Sequence, residues 1–398
     1  MFSPRRRAPV VPMTTAERIE LLGPFCRQFP ELGLRGRRDL QYWLSFELGN
    51  WQALDQWVPL GKGLEAKALS PRTIYHVLAG NLAISGWQSL LGGLLLGSLN
   101  RAKIPRAQEE AFQRFFSLLP SRLQPFLAFD RELDWQALRS AEAVIAFGTQ
   151  ETIQKVRENL EPAQTFVAYG PRASLIWLGK VHDLPEELID RCAYDIALYG
   201  QLGCLSPQSI LVLPQSHLTA FCHRLAEALR RWSTKLPCPP PDPVATRQIQ
   251  EARTIAHAMG WPVWTPGESL QWTVILRSSR EFSPSFGYRL IYVDVVPLES
   301  LEDWLRPLAG SLSTVASPSP LDPGLQTLFV QYGAWRFCAV GKSQCPFPWA
   351  YHDGRPRLAG LVRWILQEPF VGRKQRPKPP RRVFHEKGVR RARSVHQT

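Results

Sequence analysis

The stretch that decides the fold class is GQLGCLSPQ, residues 200–208, which stands directly before the buried-strand pattern SILVLP at 209–214. Gly200 and Gly203 loosen the turn around Cys204 and leave backbone N–H groups exposed near the thiol. Such N–H groups can stabilise a thiolate and later an oxyanion. By itself, a cysteine in this place is more often a small core residue than a nucleophile. The surrounding sequence decides between the two interpretations.

Strand, turn and helix patterns alternate around this stretch. On its N-terminal side, the run 73–78 (TIYHVL) predicts a strand, Ala79-Gly80-Asn81 a tight turn and 84–100 a helix. The same order recurs in the strand pattern 141–147, the turn Gly148-Thr149 and the helix pattern 150–160. Because parallel strands need a crossover connection, this alternation predicts parallel βαβ units with helices on both faces of a sheet.

The other patterns complete the α/β assignment. Helices are predicted within 13–60 and at 184–198, 219–232 and 358–366. Further strands are predicted at 164–169, 174–178, 272–276, 289–295 and 335–341. The proline-rich segment 237–243 and the segment 311–324, rich in serine and proline, are predicted to be loops.

The net charge of +14 is concentrated at the ends of the chain. Residues 372–398 hold ten Lys or Arg against one acid, Glu386, and Arg5–Arg7 add three more basic residues. The rest is nearly neutral, so nothing indicates a nucleic-acid-binding core. We expect 372–398 to be a basic disordered tail. Contact with an acidic carrier protein or a partner subunit, and adventitious nucleic-acid binding, stay open as alternatives.

The seven cysteines lack the spacing of a metal site. They stand at 26, 192, 204, 222, 238, 338 and 345 without a CxxC pair, so no metal is expected. The longest apolar run, Leu90–Leu99, is too short for a membrane span, and no secretory signal is recognisable. We therefore expect a soluble, cytoplasmic protein with reduced thiols and no membrane span.

Four segments, in order along the chain, resemble the aldehyde dehydrogenase superfamily. YGQLGCLSPQSILV at 199–212 resembles its nucleophile segment, and the form Cys-x-Ser-Pro-Gln is similar to the LuxC-type fatty-acyl thioester reductases. HVLAGN at 76–81, with the stretch to Lys103, resembles the Gly-Asn turn, helix and lysine of that superfamily. AVIAFGTQETI, ending at Ile153, resembles its second phosphate-proximal turn. GAWRFCAVG followed by HDGRPRLAGLVRW, ending at Trp364, resembles its C-terminal signature.

The resemblance implies roles for five residues. Cys204 would attack a thioester carbonyl to form an acyl-enzyme, and the Asn81 amide with the Cys204 N–H would hold the oxyanion. Lys103 would contact the cofactor ribose, and Gly148 and Thr149 would place the pyrophosphate at a helix N-terminus. The implied reaction reduces a long-chain fatty-acyl thioester, on CoA or acyl carrier protein, to the aldehyde with NADPH, NADH being open as well.

The sequence departs from aldehyde-oxidising members at the base that activates water. AYGPR at 168–172 stands where those members carry Glu-Leu-Gly-Gly-Lys, so Ala168 replaces the glutamate. Without that base an acyl-enzyme would hydrolyse slowly and pass to hydride or thiol instead, which argues for thioester reduction. Among the eight histidines only His352, in His352-Asp353-Gly354, is placed by a motif. A structural role in a turn and a catalytic role both stay open for it.

Together these observations predict an aldehyde-dehydrogenase-like, three-layer α/β fold. We expect an N-terminal helical segment (1–60), a Rossmann-like nicotinamide cofactor-binding domain (61–181), a catalytic α/β domain (182–345), a C-terminal segment that helps oligomerisation (346–371) and the tail (372–398). The resemblance implies a homo-oligomer that takes acyl-CoA or acyl carrier protein and can have an acyl-transferring partner subunit. A CoA-acylating aldehyde dehydrogenase working oxidatively, and a non-catalytic scaffold subunit that binds acyl carriers, stay open as alternatives.

Overall fold

The computed structural model describes residues 12–369. The predicted tail at 372–398 and the basic residues Arg5–Arg7 lie outside the described residues. Within 12–369, no helix has the length and apolar character needed to cross a membrane. The same part of the chain contains no group of three or more His, Cys, Asp or Glu side chains placed to hold a metal ion.

Helices and strands alternate along the described chain. The helices are α1 (Thr15–Cys26), α2 (Arg37–Leu48), α3 (Ala83–Leu96), α4 (Glu109–Leu118), α5 (Trp135–Ser140), α6 (Gln150–Arg157), α7 (Glu186–Ala197), α8 (Leu218–Lys235), α9 (Pro243–Ala258), α10 (Leu301–Leu305) and α11 (Pro323–Gln331). The strands are β1 (Val58–Gly61), β2 (Leu64–Leu69), β3 (Thr73–Val77), β4 (Leu99–Lys103), β5 (Leu127–Asp130), β6 (Ala143–Phe147), β7 (Thr165–Tyr169), β8 (Ala173–Gly179), β9 (Pro207–Val212), β10 (Val263–Trp264), β11 (Thr273–Arg277), β12 (Leu290–Val295), β13 (Leu312–Ser317), β14 (Arg336–Ala339) and β15 (Arg363–Gln367).

Two of the three sheets are built from parallel strands. A five-stranded sheet has the order β5-β4-β3-β6-β7, and all its pairs are parallel. A seven-stranded sheet has the order β10-β11-β12-β9-β8-β13-β14 and is parallel except at β10. The predicted parallel βαβ units are therefore confirmed. Since the carboxyl ends of parallel strands meet at one edge, the loops after β3, β4 and β6 lie side by side, the usual place for a ligand.

Helices cover both faces of each parallel sheet, which gives the predicted three layers. The five-stranded sheet packs against α1 to α4 on one face and against α5 and α6 on the other. The seven-stranded sheet packs against α7 and α8 on one face and α10 and α11 on the other. In β9, Ile210 joins the first of these two cores and Leu211 the second. A strand buried on both faces needs a continuous apolar run, and SILVLP supplies it.

Glycines let α3 lie unusually close to its neighbours. A Cβ at Gly86 would be 2.6 Å from Cζ of Phe112, and a Cβ at Gly93 would collide with the side-chain oxygen of Asn100. The same oxygen lies 3.0 Å from Nε2 of the buried His76, in β3. The close packing fixes α3 against the sheet, and with it the turn between β3 and α3 that contains Asn81.

Two secondary-structure predictions were wrong. The predicted loop 311–324 contains β13, whose six residues are all buried between β8 and β14. Its small polar side chains resemble a loop in sequence, but a buried strand tolerates them where they are hydrogen-bonded; Ser313 Oγ, for example, accepts from Trp335 Nε1 at 3.0 Å. The segment 358–366, predicted to be a helix, is instead a turn followed by β15. β15 pairs with β2 in the antiparallel three-stranded sheet β1-β2-β15. Pairing with a distant strand overrode local helix propensity.

The chain passes from the five-stranded to the seven-stranded sheet before the domain boundary that was predicted near residue 181. β8, inside the predicted segment 61–181, pairs with β9 and β13 of the seven-stranded sheet. β1, near the start of that segment and largely before it, pairs with β2, and β2 pairs with β15 rather than with the five-stranded sheet. Local composition does not specify which distant strand a segment pairs with, so the sequence alone could not assign β8 to its sheet.

Candidate functional site

Cys204 lies in a tightly bent loop between α7 and β9. Tyr199, Gly200 and Gln201 have φ values of 54°, 63° and 64°, which are left-handed conformations. A Cβ at Gly200 would also collide with Sγ of Cys238, so only glycine fits both the conformation and the space. Gln201 closes the loop by donating from Nε2 to the Pro207 carbonyl at 2.8 Å. The bend places Cys204, a partly exposed residue with a largely buried thiol, at the wall of a cavity.

A buried carboxylate in α7 supports this loop from behind. Asp195 accepts hydrogen bonds from the backbone N–H of Gly341 at 2.6 Å and of Ser343 at 3.0 Å. The next residue, Gln344, donates from Nε2 to the carbonyls of Asp195 and Leu198. Burial raises the pKa of Asp195 to about 6, although these donors oppose the rise. Gly203 packs closely against Gln344: a Cβ at position 203 would be only 2.6 Å from Oε1 of Gln344. The loop after β14 thus fixes the position of the loop that contains Cys204.

Asn81 connects the two parallel sheets at the site. It follows β3, and its Nδ2 donates to the carbonyl of Leu202 at 2.9 Å. Leu202 is two residues before Cys204, so the amide predicted to hold an oxyanion lies beside the loop of the predicted nucleophile. One hydrogen of the amide is used in this contact, and an amide nitrogen carries two.

Two cavities meet at Cys204. One has a volume of about 270 Å³ and the other about 600 Å³. Five residues line both cavities: Asn81, Ser85, Gly203, Cys204 and His352. Of these side chains, only the Cys204 thiol and the His352 imidazole are titratable. A group bound in either cavity would therefore approach the same sulfur.

The smaller cavity has a mainly apolar wall. It lies between α3, the segment just after α1 and the loop after β14. Its apolar lining residues include Leu32, Leu82, Ile84, Leu205, Trp335 and Phe347. A cavity of this kind suits an alkyl chain better than a charged group.

The larger cavity lies at the carboxyl ends of β3, β4 and β6. All five residues singled out in the sequence line it: Asn81, Lys103, Gly148, Thr149 and Cys204. Thr149 caps α6, since its Oγ1 accepts from the N–H of Thr152 at 3.3 Å. The N-terminal end of α6, where backbone N–H groups and the helix dipole favour anions, therefore faces the cleft.

The resting Cys204 thiol is protonated, contrary to the expectation of a stabilised thiolate. Burial raises the pKa of Cys204 to about 12, and the carboxylate of Asp353 adds to the rise. The backbone N–H groups of Cys204 and Leu205 and the guanidinium of Arg172 oppose it without balancing it. The sequence indicated the N–H groups but could not reveal how little water reaches the sulfur.

Sequence reasoning missed an ion pair at the edge of the larger cavity. Arg172 Nε lies 2.7 Å from Asp353 Oδ2, and Arg172 also donates to the Gly310 carbonyl at 2.6 Å. The other carboxylate oxygen, Oδ1, is buried and has no hydrogen-bond partner among the described residues. Only the correspondence of Arg172 with a lysine of the superfamily segment could have drawn attention to the pair.

The trio His352-Asp353-Gly354 does form a turn, which confirms one of its two readings. His352 and Arg355 exchange backbone hydrogen bonds of 3.0 Å, and Asp353 and Gly354 have φ values of 51° and 70°. The His352 ring also packs on Tyr169, with 4.2 Å between ring centroids. Burial lowers the pKa of His352 to about 4, so its imidazole is neutral at pH 7. His352 therefore forms a turn with its backbone and also presents a neutral imidazole where the two cavities meet.

Comparison with known proteins gives a consistent result. The family model described as acyl-CoA reductase (LuxC) matches residues 31–364. A long-chain acyl-protein thioester reductase from Vibrio harveyi is 29% identical over 346 residues, which cover 82% of this chain and 70% of that protein. Long-chain acyl-protein thioester reductase 2 from Photobacterium leiognathi is 23% identical over 348 residues, with coverage of 81% and 69%.

Solved structures confirm the predicted fold class. An aldehyde dehydrogenase from Bacillus cereus, in its NAD+ complex, superimposes with a TM-score of 0.64 at 12% identity, covering 91% of this chain and 85% of that one. The bifunctional proline utilization A protein superimposes with a TM-score of 0.64 at 14% identity, and the chain covers 42% of its length. At such low identity these likenesses show the aldehyde-dehydrogenase fold and nothing about substrate.

Proposed function

Because the chain belongs to the acyl-CoA reductase (LuxC) family, we propose that it reduces a long-chain fatty-acyl thioester to the aldehyde through an acyl group held on Cys204. The acyl donor is acyl-CoA or acyl carrier protein, and the hydride donor is NADPH, with NADH as the alternative. The observation that carries the proposal is the place of Cys204 at the meeting point of two cavities. An alkyl chain in the smaller cavity and a dinucleotide in the larger one would both reach the sulfur.

The first chemical step is the transfer of the acyl group to Cys204. The sulfur attacks the thioester carbonyl, a C–S bond forms, and the C–S bond to the carrier breaks. Negative charge develops on the carbonyl oxygen, where the N–H of Cys204 and the second hydrogen of the Asn81 amide can donate. Donors already in place cost no reorganisation, and losing one typically costs about 2.7–4 kcal/mol of barrier.

The proton of the thiol must leave as the sulfur attacks. We assign its transfer to His352, which lines both cavities with Cys204. Burial lowers the pKa of His352 to about 4, so its neutral imidazole is a weak base that takes the proton only as the new C–S bond forms. The imidazole accepts the proton from Cys204 and returns it to the departing thiolate of the carrier, so the exchange is balanced. Neither the missing superfamily glutamate nor an external base is then needed for this step.

The larger cavity fits a nicotinamide dinucleotide. Its volume of about 600 Å³ lies within the usual range of ligand sites. Gly148 and Thr149 at the start of α6 would face the pyrophosphate, and Lys103 would lie near a ribose. When bound, the reduced cofactor would supply a hydride to the acyl carbon; the C–S bond to Cys204 then breaks, which releases the aldehyde and leaves a thiolate that takes up a proton from water.

Ala168 favours reduction over release of a free acid. It lies in β7, at the position that corresponds, by the resemblance of AYGPR to Glu-Leu-Gly-Gly-Lys, to the glutamate of aldehyde-oxidising members of the superfamily. With no carboxylate there to activate water, an acyl group on Cys204 should survive long enough to be reduced.

Mass spectrometry of the intact protein after mixing with hexadecanoyl-CoA alone tests the nucleophile. We expect a single acyl adduct on Cys204 in the unmodified sequence and no adduct in Cys204→Ala. Cys238→Ala is the matched control, because Cys238 is also partly exposed but lies on the other side of the Gly200 turn. An adduct that persists in Cys204→Ala, or no adduct in any protein, rejects the assignment.

The direction of the reaction needs a separate measurement. Consumption of NADPH with acyl-CoA should exceed reduction of NADP+ with fatty aldehyde plus CoA when each is assayed at saturation. The opposite ratio would indicate a CoA-acylating aldehyde dehydrogenase. An adduct without turnover in either direction would indicate a scaffold that only holds acyl groups.

A further inference from the structure

Five aromatic rings form a continuous surface outside the smaller cavity. They belong to Tyr42, Phe46, Phe347, Trp349 and Tyr351, here called the aromatic shelf. Ring centroids are 5.6 Å apart for Phe347–Trp349, 4.7 Å for Trp349–Tyr42, 6.2 Å for Tyr42–Phe46 and 5.4 Å for Phe46–Tyr351. The two ends of this series, Phe347 and Tyr351, also line the cavity. The shelf is therefore the outward continuation of the cavity wall.

Four of the five rings are far more exposed than their size predicts. Phe347 is 71% exposed, Tyr42 52%, Phe46 44% and Tyr351 40%. Scattered exposed apolar residues are ordinary, whereas a contiguous aromatic patch marks a binding surface. Nothing in the packing of α2 requires rings at 42 and 46, since the residues of α2 in the core are Leu40, Trp43, Leu44 and Leu48.

The cavity is too small for the whole of a long acyl chain. An engineered apolar cavity of about 150 Å³ holds one benzene molecule, which has six carbon atoms. At the same packing, the cavity of about 270 Å³ holds on the order of eleven carbons. A chain of sixteen carbons with its carbonyl at Cys204 would therefore extend beyond the cavity by several carbons, at the side where the shelf begins.

We propose that the aromatic shelf binds the distal end of the fatty-acyl chain and so sets a preference for long-chain thioesters. The occupant is an uncharged alkyl segment, which gains from apolar contact and needs no polar partner. This inference rests on the proposed function, because it takes the acyl group to be bound at Cys204. It adds a binding surface, contributed by α2 and the loop after β14, to a cavity that would otherwise accept short chains equally well.

Chain-length profiles of shelf variants test the proposal. The ratio of kcat/KM for hexadecanoyl-CoA to that for octanoyl-CoA should fall by about tenfold in Tyr42→Ser and in Phe46→Ser, while the octanoyl value stays unchanged. Both side chains are exposed and neither lines the cavity, so the fold and the binding of the shorter chain should tolerate the changes. Trp57→Ser is the matched control, since Trp57 is an exposed aromatic (39%) that lines neither cavity. Equal losses for both chain lengths, or an unchanged ratio, would overturn the proposal.

A binding measurement separates failure of the shelf from failure of the proposed chemistry. In Cys204→Ala, calorimetric titration should give tighter binding of hexadecanoyl-CoA than of octanoyl-CoA, and Tyr42→Ser added to this background should remove the difference. If the difference is present but the unmodified protein reduces no thioester, the shelf stands and the reductase assignment falls. If no difference is found, or if Tyr42→Ser changes only the oligomeric state in sedimentation, the shelf has another occupant and the proposal is wrong.

Discussion

The buried His76 should make the protein sensitive to acid through one identifiable group. Its Nδ1 lies 2.9 Å from Ser89 Oγ and its Nε2 3.0 Å from Asn100 Oδ1, between β3, α3 and β4. Burial lowers the pKa of His76 from 6.5 to about 4, although the bond to Asn100 opposes the shift. The folded protein therefore holds this imidazole neutral at pH values where the unfolded chain would charge it.

The sign and the size of the effect follow from this difference. Below pH 6.5 the His76 imidazole is protonated in the unfolded state, whereas in the folded state it is protonated only below about pH 4. Stability is thus fully present above pH 6.5 and falls as the pH is lowered. A lowering of the pKa from 6.5 to about 4 amounts to about 3 kcal/mol of unfolding free energy lost between pH 7 and pH 4.

Urea unfolding at pH 7, 6, 5 and 4 measures this loss directly. In His76→Gln the free energy of unfolding should decline by about 3 kcal/mol less across this range than in the unmodified protein, whatever its value at pH 7. His223→Gln, at an exposed position in α8, should decline as the unmodified protein does. His352 adds acid sensitivity of the same sign, since burial lowers its pKa as well, and is left in place in all three proteins. An identical decline in His76→Gln, or an NMR titration of the His76 ring centred near pH 6.5, would refute the reasoning.

Three other changes have definite expected results. Asn81→Ala should lower kcat for acyl-CoA reduction by about 100-fold with little change in KM, because a donor to the oxyanion is lost; a change confined to KM would contradict that role. His352→Phe keeps the ring packing on Tyr169 but not the proton transfer, so stopped-flow acylation of Cys204 should slow by about 100-fold while the melting temperature is retained; unchanged acylation excludes His352 as the proton acceptor. Arg277→Met leaves the buried Asp294, 2.6 Å from Arg277 Nε, without its countercharge, and should cost about 3–5 kcal/mol of unfolding free energy in urea at pH 7. A loss of less than 1 kcal/mol of unfolding free energy would show that the hydrogen bond from Ser209 Oγ is enough to stabilise the buried Asp294.

Local patterns predicted the elements that surround the site better than those at a distance from it. The strands β3 and β6 are mainly apolar runs followed by turns that contain glycine, β9 is a mainly apolar run preceded by the turn of Gly200 and Gly203, and these signals are local. β13 could not be predicted in the same way, because its polar groups have partners far away in sequence: Ser313 Oγ accepts from Trp335 Nε1, and the backbone N–H of Thr314 donates to Ser174 Oγ. β15 has five exposed residues and is a strand only because β2 pairs with it. Sequence reports what a segment prefers alone, and these two segments are determined by neighbours.

The site shows the same division between local and long-range information. Asn81, Lys103, Gly148 and Thr149 lie at the carboxyl ends of β3, β4 and β6, so parallel topology was enough to bring them to one cleft, which Cys204 lines from the loop before β9. The protonation of Cys204 was not predictable, because its pKa depends on burial and on Asp353, which lies far along the chain. For the same reason, Arg172 could be aligned with a superfamily lysine but not paired with its aspartate.

A protonated resting thiol is consistent with the rest of the proposed chemistry. A permanent thiolate would react with any electrophile that reached it, whereas a thiol with a pKa of about 12 needs a base to act. The neutral imidazole of His352 is the base that we propose, and an acyl chain in the apolar cavity would place its carbonyl beside the sulfur. Ala168 disfavours the competing hydrolysis, since the superfamily position of the water-activating glutamate holds no carboxylate. Low intrinsic reactivity, a base at the junction and an alanine at position 168 together favour a cysteine that accepts an acyl group from a thioester and holds it until hydride arrives.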